Sequence, residues 1–317
     1  MEPDTQRPEI ARNAAPHIAS DRRPDVWACV VCHHPDAASL GRLIAALAPQ
    51  VARVLVIDNS PGQPPLGRHE LGQALHVPMN RNAGTAGALN EAWRLALEAG
   101  VRYMISFDQD SQPGAGLAAC LLASFAVPAT RPLAAVGPAW TDARTGKPMR
   151  LLQPVKFRRR HVSAPANSLV DVDHVITSGC MVSAQAYRAV GPFDETLFLD
   201  YVDVEWSSRA RARGYATAVA TGCAMTHAIG EKMIPLAGRQ LAVHKPQRSY
   251  LQLRNHLLLW RNSAIPRLWL LSDLIQTVGK LLALLTLAPD RVERSRWIFR
   301  GLVHGLRGIG GAAQLGK

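Results

Sequence analysis

Asp108 and Asp110 stand two residues apart where the apolar run Val101 to Phe107 breaks into a turn containing Pro113 and Gly114. Side chains alternate along a strand, so carboxylates at i and i+2 leave it on the same side. Two hard oxygen donors at a strand's carboxyl end suit a divalent cation holding a phosphate-bearing ligand, although an acidic turn that only caps a strand is spelled the same way. A second group of carboxylates, Asp200, Asp203 and Glu205, sits where the segment from Phe193 passes into a helix reaching Gly214. Acids in a first helical turn complement the helix dipole, and a carboxylate there beside aromatic residues can also act as a general base. Asp58, which ends the run Val51 to Ile57, and His227, in Ala224 to Gly230, complete the set.

The elements that must position these groups alternate. Val26 to Val31 is a continuous apolar run, the pattern of a strand buried on both faces. Ser39 to Leu47 has helical spacing, Val51 to Ile57 is a second buried strand, and the strand carrying Asp108 follows a helix running from Gly84 to Glu98. A helix over 117–125, a strand over 134–138, a strand over 175–182 and a helix over 184–190 continue the series. This order predicts an α/β fold with right-handed crossovers and a ligand site at the strands' carboxyl ends. Small residues at 84 and 86–88 let the helix begin close to a ligand, where free N–H groups would favour phosphate. The stretch is neither a Walker loop nor a G-x-G-x-x-G fingerprint. Gly179 interrupts its strand where another group must approach the backbone.

Composition narrows the class. The 317 residues are 48% hydrophobic and 19% charged, so the chain is globular, and its net charge of +12 favours anionic partners without choosing among them. Its basic residues gather in a 141–170 insertion, expected to be a solvated loop or a cleft rim, and in the tail. None forms a recognition helix with stacking positions, which argues against a nucleic-acid binder. Five cysteines without framework spacing predict reduced thiols in a cytoplasmic setting. Cys29 and Cys32 form a C-x-x-C inside a strand with no second pair to hold zinc. Residues 1–25 are polar, lack a signal-peptide core and read as a disordered leader. From 263 to 317 the chain reads as a helical, basic and amphipathic extension, with Leu268, Leu271, Leu274, Val278 and Leu282 opposite Asp273, Gln276 and Lys280. Those charges break any long uncharged apolar run, so an interfacial or packed helix is expected rather than a membrane span.

Taken together, V-V-C-H-H-P-D, V-I-D-N-S, the 82–90 stretch, F-D-Q-D-S, T-S-G, G-P-F-D-E-x-L-F-L-D-Y-V-D-V-E-W and R-x-R-G-Y resemble the inverting family 2 glycosyltransferases, and among them the bacterial rhamnosyltransferases. The resemblance covers residues 26–262. It implies the GT-A (nucleotide-diphospho-sugar transferase) fold with a mostly parallel central sheet. It further implies a nucleotide-sugar pocket drawing on His34, Asp58, Asn82, Gly84, Asp108, Arg248 and Arg254, and Mg²⁺ or Mn²⁺ held by Asp110 and His227. Asp203 matches the catalytic base, and Asp200, Glu205 and Gly179 fall on the acceptor side. The implied reaction transfers L-rhamnose from dTDP-L-rhamnose to lipopolysaccharide, O-antigen or another surface polysaccharide, with UDP-hexose or UDP-galactofuranose as alternative donors. A saccharide or lipid-linked saccharide acceptor agrees with a cytoplasmic protein touching the inner face of the membrane, and a homo-oligomer is compatible. The first strand ends Cys32-His33-His34-Pro35 where the family more usually has T-Y-N-P or T-F-H-P, so recognition of the base departs from the pattern. A nucleotidyltransferase is the alternative of different class, but the glycine-rich basic signature it calls for is absent between residues 30 and 45.

Overall fold

The computed structural model describes residues 23–62, 66–67, 71–142, 146, 148–149, 151–155, 158–162, 165–227, 232–236 and 239–312. Residues 1–22 of the expected leader lie outside it, whereas residues 23–25 already belong to the first strand. The first half is β1 (Arg23–Cys32), α1 (Ala37–Leu47), β2 (Val51–Asp58), β3 (Leu75–Pro78), α2 (Gly84–Glu98) and β4 (Tyr103–Asp108). Asp36 caps α1 by accepting the Ser39 N–H at 2.9 Å. β1 runs parallel to both β2 and β4, and β2 is parallel to β3, giving the spatial order β3-β2-β1-β4.

The second half extends this sheet. β5 (Gln112–Pro113), α3 (Leu117–Ser124), β6 (Leu133–Asp142), β7 (Leu151–Val155), β8 (Arg158–Val162) and β9 (Leu169–Asp171) precede β10 (Cys180–Ser183) and α4 (Ala184–Val190). Then come α5 (Val202–Ala212), β11 (Ala216–His227), the hairpin β12 (Lys232–Leu236) and β13 (Arg239–Val243), α6 (Pro246–Leu259), α7 (Arg267–Leu287) and α8 (Arg291–Arg307). β10 inserts antiparallel between β4 and β6, β11 lies parallel to β6, and β5 pairs antiparallel with β11. Alternate residues of β2 feed the two faces. Leu55 and Ile57 join Leu89 and Trp93 of α2 on one side, while Val54 and Val56 join Leu40 and Leu43 of α1 on the other. That is why these strands read as unbroken apolar runs.

Three expectations change. The 141–170 insertion is not all loop, because β7 and β8 pair antiparallel within it and β9 joins β11. The strand expected over 175–182 shortens to β10, because Thr177 to Gly179 are held instead by β4: the Ser106 hydroxyl donates to the Thr177 carbonyl at 2.6 Å and the Gly179 N–H to the Ser106 carbonyl at 2.7 Å. Two of the expected thiols are paired, Cys120 of α3 with Cys223 of β11, while Cys29, Cys32 and Cys180 are free and buried.

The extension also folds back onto the domain rather than standing apart. Gly301 and Gly305 let α8 press against α6, where an added Cβ would lie 2.7 Å from the Tyr250 carbonyl and from Leu257. Arg254 of α6 donates to the carbonyls of Leu197 and Gly311, joining the helix to a loop of the domain and to the chain beyond α8.

Candidate active site

Three parallel strands end at one sheet edge. In register, Cys32 of β1 lies opposite Asp58 of β2, and Val31 opposite Asp108 of β4. Asp58 and Asp108 therefore flank the end of β1, about 10 Å apart given a strand spacing of ~4.8 Å. Asp58 is buried. Burial pushes its carboxyl up, but the Ser60 hydroxyl and N–H and the His76 ring outweigh it, so its pKa falls below the ordinary value. The Ser60 N–H reaches Asp58 Oδ1 at 2.9 Å and His76 Nε2 reaches Oδ2 at 3.1 Å, so Asp58 is an anion fixed in place.

The neighbouring turns are pinned by side chains. The His34 N–H donates to Ser60 Oγ at 2.7 Å and the His33 N–H to Gln109 Oε1 at 2.7 Å. Both histidine side chains are exposed at the mouth of this edge. Ser178 Oγ meets Ser111 Oγ at 2.5 Å and accepts from the Asp108 N–H at 3.4 Å, which ties the turn of Asp108 and Asp110 to the segment before β10. Asp110 is exposed.

β5 links this turn to β11. Thr226 pairs antiparallel with Gln112, so the next step of the ladder brings the His227 backbone opposite Ser111, beside Asp110. The His227 side chain lies outside the described residues. Among the described side chains no group of three His, Cys, Asp or Glu is gathered for a metal. The register nevertheless brings the His227 backbone beside the turn that carries Asp108 and Asp110. Oxygen-rich donors of this kind fit Mg²⁺ or Mn²⁺.

Asp203 stands in the first turn of α5. Its Oδ1 accepts the Val204 N–H at 2.9 Å, and its charge bears on Cys180, the residue paired with Ser106 two positions before Asp108. The side chain keeps a path to solvent. Even so, burial holds its pKa above the ordinary carboxylate range, with His174 and the Val204 N–H pulling the other way and Asp200 adding to the rise. A carboxylate made reluctant to ionise is the stronger base. The backbone leading to it is held in the left-handed region at Phe198 (φ 67°) and Tyr201 (φ 70°). Such positions cost about 1–3 kcal/mol and persist where surroundings over-determine them. Here the Tyr201 hydroxyl donates to Asp273 of α7 at 2.7 Å and lies 3.1 Å from Thr277.

Several expected site residues make contacts that hold the fold. Three N–H groups at the start of α2 are already engaged: Ala83 donates to Asn59, Gly84 to Asn82, and Ala86 to the Phe198 carbonyl. Gly84 (φ +70°) is required because a Cβ would stand 2.2 Å from that carbonyl, so the close approach is by protein and not by phosphate. Asn82 acts as its cap. Gly179 (φ +80°) similarly faces Met225 and Pro138 rather than an acceptor. Glu205 is buried, chelated by Arg209 at 2.6 and 2.8 Å and bonded by Asn262 at 2.7 Å, and it points away from Asp203 as residues two apart on a helix must. Arg254 is fully buried, with its guanidinium spent on the carbonyls of Thr196, Leu197 and Gly311. Arg248 pairs with Asp200 at 3.0 Å, joining a residue expected at the donor to one expected at the acceptor. The other Asp200 oxygen is buried with no hydrogen-bond partner, so that carboxylate retains acceptor capacity. Sequence reasoning missed His174, whose charge bears on Asp203 and whose single polar side chain carries no spacing signal.

A separate cavity of about 660 Å³ opens between α2, α4 and α5, lined in part by Asn90, Arg94, Tyr187, Glu195 and Arg209. None of Asp58, Asp108, Asp110 and Asp203 reaches it.

No protein-family model matches the chain. Solved structures share the fold: GalNAc-T7 with UDP, GalNAc and Mn²⁺ aligns over 67% of this chain and 44% of its own (TM-score 0.52, 13% identity). TarS of S. aureus aligns over 90% and 49% (0.52, 12%), and its 1–349 fragment with UDP-GlcNAc over 89% and 81% (0.51, 10%). The chain thus spans about half the length of the first two. The fold is that of the GT-A glycosyltransferases. A relative matches by sequence as well: the dTDP-rhamnosyl transferase RfbF of Shigella flexneri is 29% identical over 297 residues, covering 92% of this chain and 98% of that protein. Fold and sequence likeness together make the chain a glycosyltransferase.

Proposed function

We propose that the protein is a metal-dependent, inverting family 2 rhamnosyltransferase, moving L-rhamnose from dTDP-L-rhamnose to a saccharide or lipid-linked saccharide acceptor of a surface polysaccharide such as lipopolysaccharide O-antigen. The observation that carries this reading is the raised, partly buried Asp203 carboxylate together with the edge that bears Asp58, Asp108 and Asp110. Likeness to RfbF supports rhamnose and the thymidine nucleotide.

The chemistry follows from these placements. Asp58, held ionised by His76 and Ser60, accepts from the donor's base. Asp108 and Asp110, with His227, would hold Mg²⁺ or Mn²⁺, which supplies Lewis-acid stabilisation of the leaving diphosphate. Inversion takes one displacement, so one base suffices. Asp203 accepts the proton of the acceptor hydroxyl as that oxygen attacks the anomeric carbon and the bond to the diphosphate breaks. Asp200, with its uncommitted oxygen, positions the acceptor beside Asp203. The domain 26–262 provides this chemistry, and an acceptor carried on the cytoplasmic face of the membrane would approach from the side of the 263–317 extension.

Binding of dTDP with Mn²⁺ should raise the melting temperature, by about 2.7 kcal/mol of added stability at a concentration one hundred times Kd. UDP, the nucleotide present with GalNAc-T7, is the competing arm. If neither diphosphate shifts the melting point with metal present, the reading fails. A larger shift with UDP would move the donor to a UDP-hexose.

A further inference from the structure

We infer that α7 and α8 form a platform that lies on an anionic lipid surface, with the apolar face of α7 entering the acyl boundary and the arginines of α8 meeting the headgroups. This deepens the membrane-side reading of the acceptor given above and rests on it for its purpose, but its geometry and its test are separate from the reaction.

The starting observation is an outward-facing apolar stripe. Leu268, Leu271, Ile275, Val278 and Leu282 recur at steps of three and four, so they share one face of α7. All five are exposed, Ile275 by 67%. On the opposite side Asp273, Thr277 and Lys280 face the protein together with the buried Leu270, Leu281 and Leu284, while Ser272 and Gln276 are exposed. Asp273 accepts from the Tyr201 hydroxyl at 2.7 Å and from His256 Nδ1 at 3.1 Å. The His256 proton is on Nδ1, because Nε2 accepts the Trp260 N–H. Thr277 is buried, and Lys280 is held below its ordinary pKa, first by burial and then by the balance of Asp200 against Arg248 and Arg294. A helix that buries Leu270, Leu281 and Leu284 and still presents a second apolar stripe outward, with three ionisable or hydroxyl groups turned in, is not what water selects.

α8 continues the surface. Val292, Phe299, Leu302 and Leu306 are exposed at steps of seven, three and four, with Phe299 exposed by 66%. Ten of the twelve exposed large hydrophobic side chains among the described residues fall on these two helices. On α8 the apolar stripe is flanked by exposed Arg296 and Arg307 on one side and by Arg291 on the other. An apolar stripe edged by long cationic side chains is the arrangement of helices that lie in a membrane interface.

The occupant follows from charge. A second copy packed face to face would set these arginines against their own images, with Glu293 the helix's one acid to offset them. Anionic headgroups complement them, as does the net charge of +12. α7 is long and apolar enough to cross a bilayer. Its bonds through Asp273 hold it along the domain, however, so it lies on the surface and does not span it.

Co-sedimentation with phosphatidylcholine vesicles, with and without 30% phosphatidylglycerol, tests the inference on the full chain. Wild-type protein should bind the anionic vesicles and release in high salt. Ile275→Asp with Phe299→Asp should weaken binding at least tenfold at unchanged melting temperature, since both side chains are exposed. Arg296→Gln with Arg307→Gln, which leaves the apolar face intact, should weaken it about fivefold per arginine. Binding to neither vesicle, or to both equally, overturns the inference. So does a dimer in sedimentation velocity that Ile275→Asp dissolves while wild type ignores vesicles. Binding of dTDP to the same variants stays at wild-type level if only the platform is lost, which separates this outcome from failure of the reaction.

Discussion

Replacing Asp203 by Asn removes a titrating oxygen while keeping the side chain's shape and its acceptor for the Val204 N–H, which Oδ1 receives at 2.9 Å. Loss of a positioned general base costs about 10²- to 10⁴-fold in rate. The variant should therefore fall by that factor in kcat, read as nucleoside diphosphate released from dTDP-L-rhamnose with lipid-linked saccharide present, while the donor Kd stays within about threefold by calorimetry, a margin of under ~0.7 kcal/mol. Stability supplies an independent check. Burial raises the Asp203 pKa above its unfolded value, near 3.9. Between those two values the folded chain keeps a proton that the unfolded chain has lost, so stability falls as pH climbs through that window. Above it the full penalty of the ionised carboxylate is present, and asparagine removes it. At pH 7.5 the variant should melt higher than wild type, with the gap closing towards pH ~4. Each tenfold weakening of the acid corresponds to about 1.4 kcal/mol, or roughly 2–4 °C per kcal/mol for a chain of this order. The acid limb of wild-type kcat/KM should lie above the ordinary carboxylate range for the same reason. Activity within tenfold of wild type, or a lower melting temperature at every pH, would refute the assignment of Asp203 as base.

Other outcomes separate scaffold from site. Arg254→Met strands three carbonyls, those of Thr196, Leu197 and Gly311. At about 1–3 kcal/mol each it should cost ~3 kcal/mol or more. Normal melting with a raised donor KM would instead return Arg254 to the diphosphate. Gly84→Ala places a Cβ 2.2 Å from the Phe198 carbonyl at φ +70°, so it should lower expression and melting temperature even with donor bound. Reduction of Cys120–Cys223, which closes a sequence separation of 103, should destabilise by up to about 4–5 kcal/mol. An unchanged melting point in dithiothreitol would mean that the pair contributes nothing. Asp110→Asn should weaken Mn²⁺-dependent stabilisation by dTDP while leaving the metal-free melting curve alone, because Asp110 is exposed.

How far the sequence could be read depends on whether a residue's role is carried by pattern or by contact. Val26 to Val31 and Val51 to Ile57 read as doubly buried strands because both faces of the sheet are covered, and their polar ends pointed to the candidate site edge. Asp108, Asp110 and Asp203 could be chosen because a strand end and a first helical turn leave characteristic spellings. The glycines and arginines could not be sorted this way. Gly84 beside a ligand and Gly84 beside the Phe198 carbonyl look alike in a string, since the requirement is the same missing Cβ and the partner is 114 residues away. Arg248 and Arg254 occupy one helix six residues apart, yet one is paired at the rim with Asp200 and the other is fully buried. Periodicity gave α7 an apolar stripe but not its direction: such a stripe normally turns inward, whereas here Leu271, Ile275 and Leu282 stay outside while Asp273 and Thr277 turn inward beside Leu270, Leu281 and Leu284.

That reversal bears on where the catalytic unit ends. Composition changes near residue 262, and the change invites a boundary there. Yet Tyr201, which leads into the helix of Asp203, is held from the far side of that boundary, and the anchor of its neighbour Asp200 is braced from there. Tyr201 is anchored to Asp273 and Thr277 of α7, Arg248 anchors Asp200, and Arg294 of α8 donates to Ser249 and to the His244 carbonyl on either side of Arg248. A left-handed tyrosine persists only when something fixes it, and here the extension does so. The helices that present leucines outward are thus the ones that set the base inward. The extension is therefore part of the construction of the candidate site, and its exposed apolar stripe belongs to the same helix that anchors the residue leading to Asp203.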